Sequence, residues 1–177
     1  MLAIWLQPAG KQQELLRGLI ARLAARHGTA PFQPHLTVCS ARDIDPAKTE
    51  AAADYIRRCR LLPFTIRKVG ISCSTVSPLR AVVIDLENSG ELASFRQALR
   101  RIIGAAEPEA PHISLLYTID KDGQRTGWWS DGTKLQAIAN ECAAQVGTTE
   151  FVLDRPVIVT PEGDWTNIRS WKIVRTM

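Results

Sequence analysis

The chain has 177 residues, of which 45% are hydrophobic and 23% charged, and a formal net charge of +4. This is the make-up of an ordinary globular protein, long enough for one domain or for two small lobes sharing a core, and it excludes a disordered or fibrous chain. No apolar run reaches the roughly 20 residues of a membrane-spanning helix. The opening Met1-Leu2-Ala3-Ile4-Trp5-Leu6 has neither the basic leader nor the long apolar segment of a signal peptide. A cytoplasmic protein with no membrane partner is therefore expected, and a monomer. The positive charge is carried mostly by arginine and weakly favours anionic ligands.

In chain order, residues 2–7 predict a short strand. Pro8-Ala9-Gly10 turns into a helix over 11–26, where Leu15, Leu16, Leu19, Ile20 and Leu23 recur at helical spacing. Gly28 supplies its stop, and His27 suits the negative end of the helix dipole without being assigned to catalysis. After a loop over 29–34 comes the strand carrying His35. Asp45 as N-cap and Pro46 in the first turn open a second helix, which runs to about residue 60 with Ala52, Tyr55, Ile56 and Cys59 on its apolar side. A strand over 64–72, a polar loop and a strongly apolar strand over 79–87 follow. Asn88-Ser89-Gly90 turns into a helix over 91–103 that Gly104 ends. A loop with Pro108 and Pro111 leads to the strand carrying His112. The remaining elements are a helix over 131–146, a strand over 151–160 in which Pro156 marks a bulge or edge, and a final strand over 167–175.

The order repeats. Trp5 lies 30 residues before His35, and Val83 lies 29 before His112, each pair separated by a strand end, a helix and a loop. A period of half the chain indicates an internal duplication, approximately 1–78 and 79–177, within a single domain spanning 1–177. Two copies related by an approximate two-fold axis bring both histidine strands to one cleft, and lobe interfaces favour ligand sites.

The repeated segments are Pro34-His35-Leu36-Thr37-Val38 and Pro111-His112-Ile113-Ser114-Leu115. In a strand, residues i and i+2 share a face, so His35 faces with Thr37 and His112 with Ser114, while Leu36 and Ile113 turn toward a core. Two of the chain's three histidines stand in this setting. Imidazole titrates near neutrality, so a facing pair can divide the work of general base and general acid. The hydroxyls of Thr37 and Ser114 can hold the non-bridging oxygens of a phosphate; the alternative is that each bonds neighbouring backbone. Cys39, Cys59, Cys73 and Cys142 are scattered with no C-x-x-C pair, so reduced thiols are expected and no zinc site. Cys39 continues the alternation of His35 and Thr37; a nucleophilic role would need a lowered thiol pKa. No metal and no cofactor is called for by any other cluster.

These paired H-x-[T/S] strands resemble the two-histidine phosphoesterase superfamily, which includes the 2′-5′ RNA ligase-like proteins and the cyclic phosphodiesterases. Three segments resemble the plant and yeast type of cyclic phosphodiesterase: Ala3-Ile4-Trp5-Leu6-Gln7-Pro8, Phe32-Gln33-Pro34-His35-Leu36-Thr37-Val38, and Pro111-His112-Ile113-Ser114-Leu115-Leu116-Tyr117. The resemblance implies a bilobal α/β (α+β) fold, two pseudo-symmetric lobes with antiparallel sheets flanked by helices around a central cleft. It implies hydrolysis of ADP-ribose 1″,2″-cyclic phosphate and of nucleoside 2′,3′-cyclic phosphates, the latter to 2′-phosphates. It suggests His112 as base and His35 as acid, and places Trp5 and Tyr117 beside the substrate. Two alternatives stay open. One is a 2′-5′ RNA ligase-like enzyme acting on longer RNA or RNA ends, with Trp128, Trp129 and Arg125 either in its groove or merely anchoring a loop. The other is a non-catalytic nucleotide-binding module.

Overall fold

The computed structural model describes residues 1–42, 44–59, 62–106, 109–164, 167 and 170–177. The elements are β1 (Leu2–Pro8), α1 (Gly10–His27), β2 (Leu36–Ala41), α2 (Pro46–Arg58), β3 (Phe64–Cys73), β4 (Val82–Leu86), α3 (Gly90–Ile103), β5 (His112–Leu116), α4 (Gly132–Gln145), β6 (Glu150–Pro161) and β7 (Trp171–Thr176). Their ends follow local chemistry. Gly28 and Gly104 take the left-handed conformation, at φ 67° and 71°, and return their N–H groups to Ala24 and Arg100. Asp45, Ser89 and Asp131 each accept a backbone N–H in the first turn of α2, α3 and α4.

Four expectations shift. The strand predicted from residue 79 starts at Val82, because Pro78–Arg80 forms a 3₁₀ turn first. Leu15 is 69% exposed; it sits about 90° round α1 from the centre of the buried face made by Leu16, Leu19, Ile20 and Leu23. The second helix ends at Arg58, and its predicted end at Arg60, like the predicted loop residue Pro108, lies outside the described residues. The last strand begins at Trp171 rather than 167. Among the described residues no helix is long and apolar enough to cross a membrane.

The fold is α+β. All strand pairings are antiparallel, in the order β1-β2-β5-β4-β3-β6-β7, and β1 also pairs with β6, so six strands form a closed circuit. The long β6 pairs with β1 along one edge and with β3, then β7, along the other. Exchanging β1, β2 and β3 for β4, β5 and β6 leaves this pattern unchanged, because the third strand of each half pairs with the first strand of the other. The two faces of the molecule therefore do not coincide with the two halves of the chain. β2, β1 and β6 follow one another round the circuit, as do β5, β4 and β3, and β3 meets β6 over four register pairs. A single register pair, Leu36 with Ile113, joins β2 to β5.

Alternation decides which side each residue serves. Ile4, Leu6, Leu36, Val38, Ile84, Ile113 and Leu115 are fully buried under the helices with Phe64, Phe95, Leu99 and Leu153. Each such side chain contributes about 1.5–3 kcal/mol of burial. Both motif strands also carry a bulge at the same place. Ile4 pairs with Cys39 and Trp5 with Thr37, leaving Val38 as the extra residue. Val82 pairs with Leu116 and Val83 with Ser114, leaving Leu115 extra. Bulges of this kind bend the strand and re-aim its side chains, and they recur beside functional sites.

Candidate active site

His35, Thr37, His112 and Ser114 all line one cleft of about 680 Å³. The Leu36–Ile113 pair is the reason: it sets the residues on either side of each apolar knob on the opposite face, across one join. The imidazoles are held alike. His35 Nδ1 lies 2.7 Å from the carbonyl of Gln33, and His112 Nδ1 lies 2.9 Å from that of Ala110. A carbonyl only accepts, so each Nδ1 carries the hydrogen and each neutral ring keeps a lone pair on Nε2. In both motifs the partner is the residue before the proline.

The site is dry enough to depress both rings. Burial takes His35 from its ordinary value of 6.5 to about 4, against the Gln33 hydrogen bond and with a small push from His112. Burial also lowers His112; Arg80 and Arg96 add to this, while the Ala110 bond and Glu109 work the other way. Both imidazoles are neutral at neutral pH in the free protein.

The hydroxyls are not equivalent. Ser114 Oγ donates to the carbonyl of Leu79 at 3.1 Å, whereas Thr37 has no side-chain hydrogen bond among the described residues. Backbone thus competes with any ligand for Ser114 and not for Thr37. Tyr117, which interacts with Ser114, is 8% exposed, and its phenol pKa is raised by burial.

Trp5 and Tyr117 both line the cleft, but each already has a ring on one face. Trp5 stacks on His35 and Tyr117 stacks on Phe32, each with centroids 3.7 Å apart and planes 11° from parallel. The half-buried Phe32 and Trp171 also line the cleft, Trp171 tilted against Trp5 at 5.6 Å. These two aromatics escaped the sequence reading. Phe32 stood inside the quoted first motif segment and carried a usable signal; Trp171 reaches the cleft only because β7 adds to β6 beside β1. Arg96 of α3 and Arg80 complete the lining, and Arg80 pairs with Glu109.

Two readings that the sequence leaves open are decided. Cys39 lines the cleft but is 2% exposed, and burial pushes its thiol up to about 12, so it is no nucleophile at neutral pH. Trp128 and Trp129 lie outside the cleft lining. Lys134 Nζ sits 3.8 Å over Trp128 and the Arg125 guanidinium 4.6 Å over Trp129; these rings anchor a loop. His27 packs against Trp128, away from the cleft. All four cysteines are free thiols. Among the described residues no three His, Cys, Asp or Glu side chains group as metal ligands.

No family model and no curated protein matches the chain in sequence. Solved structures do match it in fold. E. coli LigT in complex with NADP⁺ superposes with a TM-score of 0.58 at 16% identity, covering 99% of this chain and 94% of that one. E. coli LigT in complex with ATP gives 0.58 at 17%, covering 99% and 95%. A crystal structure described as a phosphoesterase gives 0.59 at 17%, again covering 99% and 95%. The likeness to these structures therefore runs over the whole fold, not only over the two histidine segments.

Proposed function

We propose that the protein hydrolyses cyclic phosphodiesters, nucleoside 2′,3′-cyclic phosphates and ADP-ribose 1″,2″-cyclic phosphate, with the two imidazoles as its acid and base. The observation that carries this reading is the matched pair. Each ring is oriented through Nδ1 by a carbonyl two residues back, and both line one cleft beside a hydroxyl. The superfamily fold supports action on phosphodiesters.

In the proposed step a water oxygen bonds to phosphorus while its proton passes to Nε2 of His112. The phosphorus–oxygen bond to the ribose 3′ oxygen breaks, and that oxygen takes a proton from His35. The product keeps its phosphate on the 2′ oxygen. Thr37 and Ser114 donate to the non-bridging oxygens, Ser114 after releasing Leu79. Burial opposes a charged His35 in the free protein. The anionic substrate and the face of Trp5 against the ring offset that, since an indole face attracts a cation. We place the activity in the cytoplasm, in a monomer.

A second reading, a 2′-5′ RNA ligase-like or phosphodiesterase activity on longer RNA, draws on the cleft's size and on aromatic pairs at two places in its lining. Phosphorus NMR of a panel of cyclic nucleotides and short 2′-5′-linked oligonucleotides separates the readings. Opening of the cyclic nucleotides to 2′-phosphates supports the first; turnover of the oligonucleotides alone replaces it with the second. Binding without turnover of any of them leaves a nucleotide-binding module.

A further inference from the structure

Arg96 is an arginine where a helix packing on a sheet ordinarily places an apolar residue. It lies in α3 between Phe95 and Leu99, both fully buried, and is itself only 5% exposed. Among the described residues no carboxylate pairs with it. A buried guanidinium without a counter-ion is costly and calls for an explanation. Its hydrogen bonds provide one. Nε donates to the carbonyl of Val38 at 3.3 Å, and Nη2 donates to the carbonyl of Glu109 at 2.6 Å.

One carbonyl belongs to the first motif and the other to the loop that leads into the second. Val38 is the bulged residue of β2, next to Thr37. Glu109 precedes Ala110, whose carbonyl holds His112 Nδ1. β2 and β5 share only the Leu36–Ile113 register pair, so beyond it the strands have no ladder to set their separation. The guanidinium fork spans that gap, fixed in plane by its own geometry. Arg96 also lines the cleft, where the reaction would hold an anion.

We propose that Arg96 is the positioning residue of the histidine pair: its fork ties the bulge of β2 to the loop whose Ala110 carbonyl holds His112, and so sets the spacing of the two imidazoles. Its charge supplies an electrostatic half to this role: after burial and Arg80, Arg96 also lowers His112. The other groups around His112 are Arg80 before β4, Glu109 in its own loop, His35 just before β2, and Asp85 opposite it in β4. The proposal rests on the acid–base reading and deepens it, and the titrations and amide shifts test it without turnover.

The test is proton NMR titration of the three histidines in wild type, Arg96→Met and Arg96→Lys, with hydrolysis of a 2′,3′-cyclic nucleotide measured alongside. In Arg96→Met the His112 titration should move to higher pH, with the His27 titration unmoved as internal control. In Arg96→Lys the charge remains and the fork is lost, so the His112 titration should stay near wild type. Misplacing reacting groups by about 1 Å can cost on the order of 100-fold in rate, and turnover in Arg96→Lys should fall roughly 10- to 100-fold. An unmoved His112 titration in Arg96→Met overturns the electrostatic half. Wild-type turnover in Arg96→Lys overturns the positioning half, also if Arg96→Met does not fold. Should the wild type hydrolyse no phosphodiester at all, the proposed function fails, while the titrations still decide the electrostatic half and amide shift changes confined to Val38 and residues 109–112 in Arg96→Lys decide the spacing; their absence counts against it.

Discussion

The indole of Trp5 lies flat on the imidazole of His35, centroids 3.7 Å apart and planes 11° from parallel. A ring in that position is closed on one face to a nucleobase. Its contact is with the group that moves the proton. Trp5→Leu should therefore lower kcat more than it raises KM. A cation on an indole face gains about 0.5–2 kcal/mol, which corresponds to roughly a 2- to 30-fold loss of kcat. Phe32→Ala should do the reverse and raise KM, because Phe32 is the half-buried ring over Tyr117 that remains available for stacking. Steady-state kinetics on one cyclic nucleotide decide both; a pure KM effect in Trp5→Leu would return that residue to substrate binding.

The pH dependence follows from the depressed imidazoles. His35 is lowered to about 4 and His112 is lowered from 6.5. The profile of kcat/KM reports the free enzyme, so its bell should peak on the acid side of pH 6.5, with limbs that belong to the coupled pair. The profile of kcat reports the complex, where a bound phosphate anion favours protonated rings, and it should lie at higher pH. Stability has a definite sign too. The folded-state value of His35 is below the unfolded one, so unfolding takes up a proton between them. The contribution is full above about pH 6.5 and is lost as pH falls toward 4. Thermal unfolding of His35→Asn should lose less stability than wild type across that window.

The two hydroxyls should separate in stability even where they agree in rate. Removing an oxyanion donor costs about 10²–10³ in turnover, and both Ser114→Ala and Thr37→Val should fall in that range. Of the two hydroxyls only that of Ser114 holds a carbonyl, that of the half-buried Leu79, and losing such a hydrogen bond costs about 0.5–1.5 kcal/mol. Denaturant unfolding should register that loss in Ser114→Ala and not in Thr37→Val. Near wild-type turnover in both variants would remove the phosphate role.

Which histidine is the acid can be read from the leaving group. Alanine at either position should lower turnover of a 2′,3′-cyclic nucleotide by about 10²–10⁴. The double variant should fall well short of the product, because the two act as a unit. A nitrophenolate needs no proton to depart, so an aryl phosphodiester should be cleaved almost as well by His35→Ala as by wild type, and poorly by His112→Ala. The opposite ranking assigns His112 as the acid, the order that burial of His35 favours in the free protein.

Much of this architecture was legible in the amino-acid sequence because it is local. Helix ends follow from Gly28, Gly104, Asp45 and Ser89, whose conformational freedom or side-chain oxygens act within one turn. The split between Leu36 and His35, or Ile113 and His112, follows from the two-residue period of a strand. The matching order of elements needed only counting. Packing between distant segments was decided by tertiary structure alone. No local rule says that β3 pairs with β4 and β6 with β1, or that β7 carries Trp171 over Trp5. The pKa directions are likewise set by how much water the finished cleft excludes: Cys39 reads as a candidate nucleophile in the alternation, and burial makes it inert. Arg96 is the sharpest case. In sequence it is one more arginine on an amphipathic helix, and its meaning arises only when the fold brings the carbonyls of Val38 and Glu109, 71 residues apart, to one guanidinium.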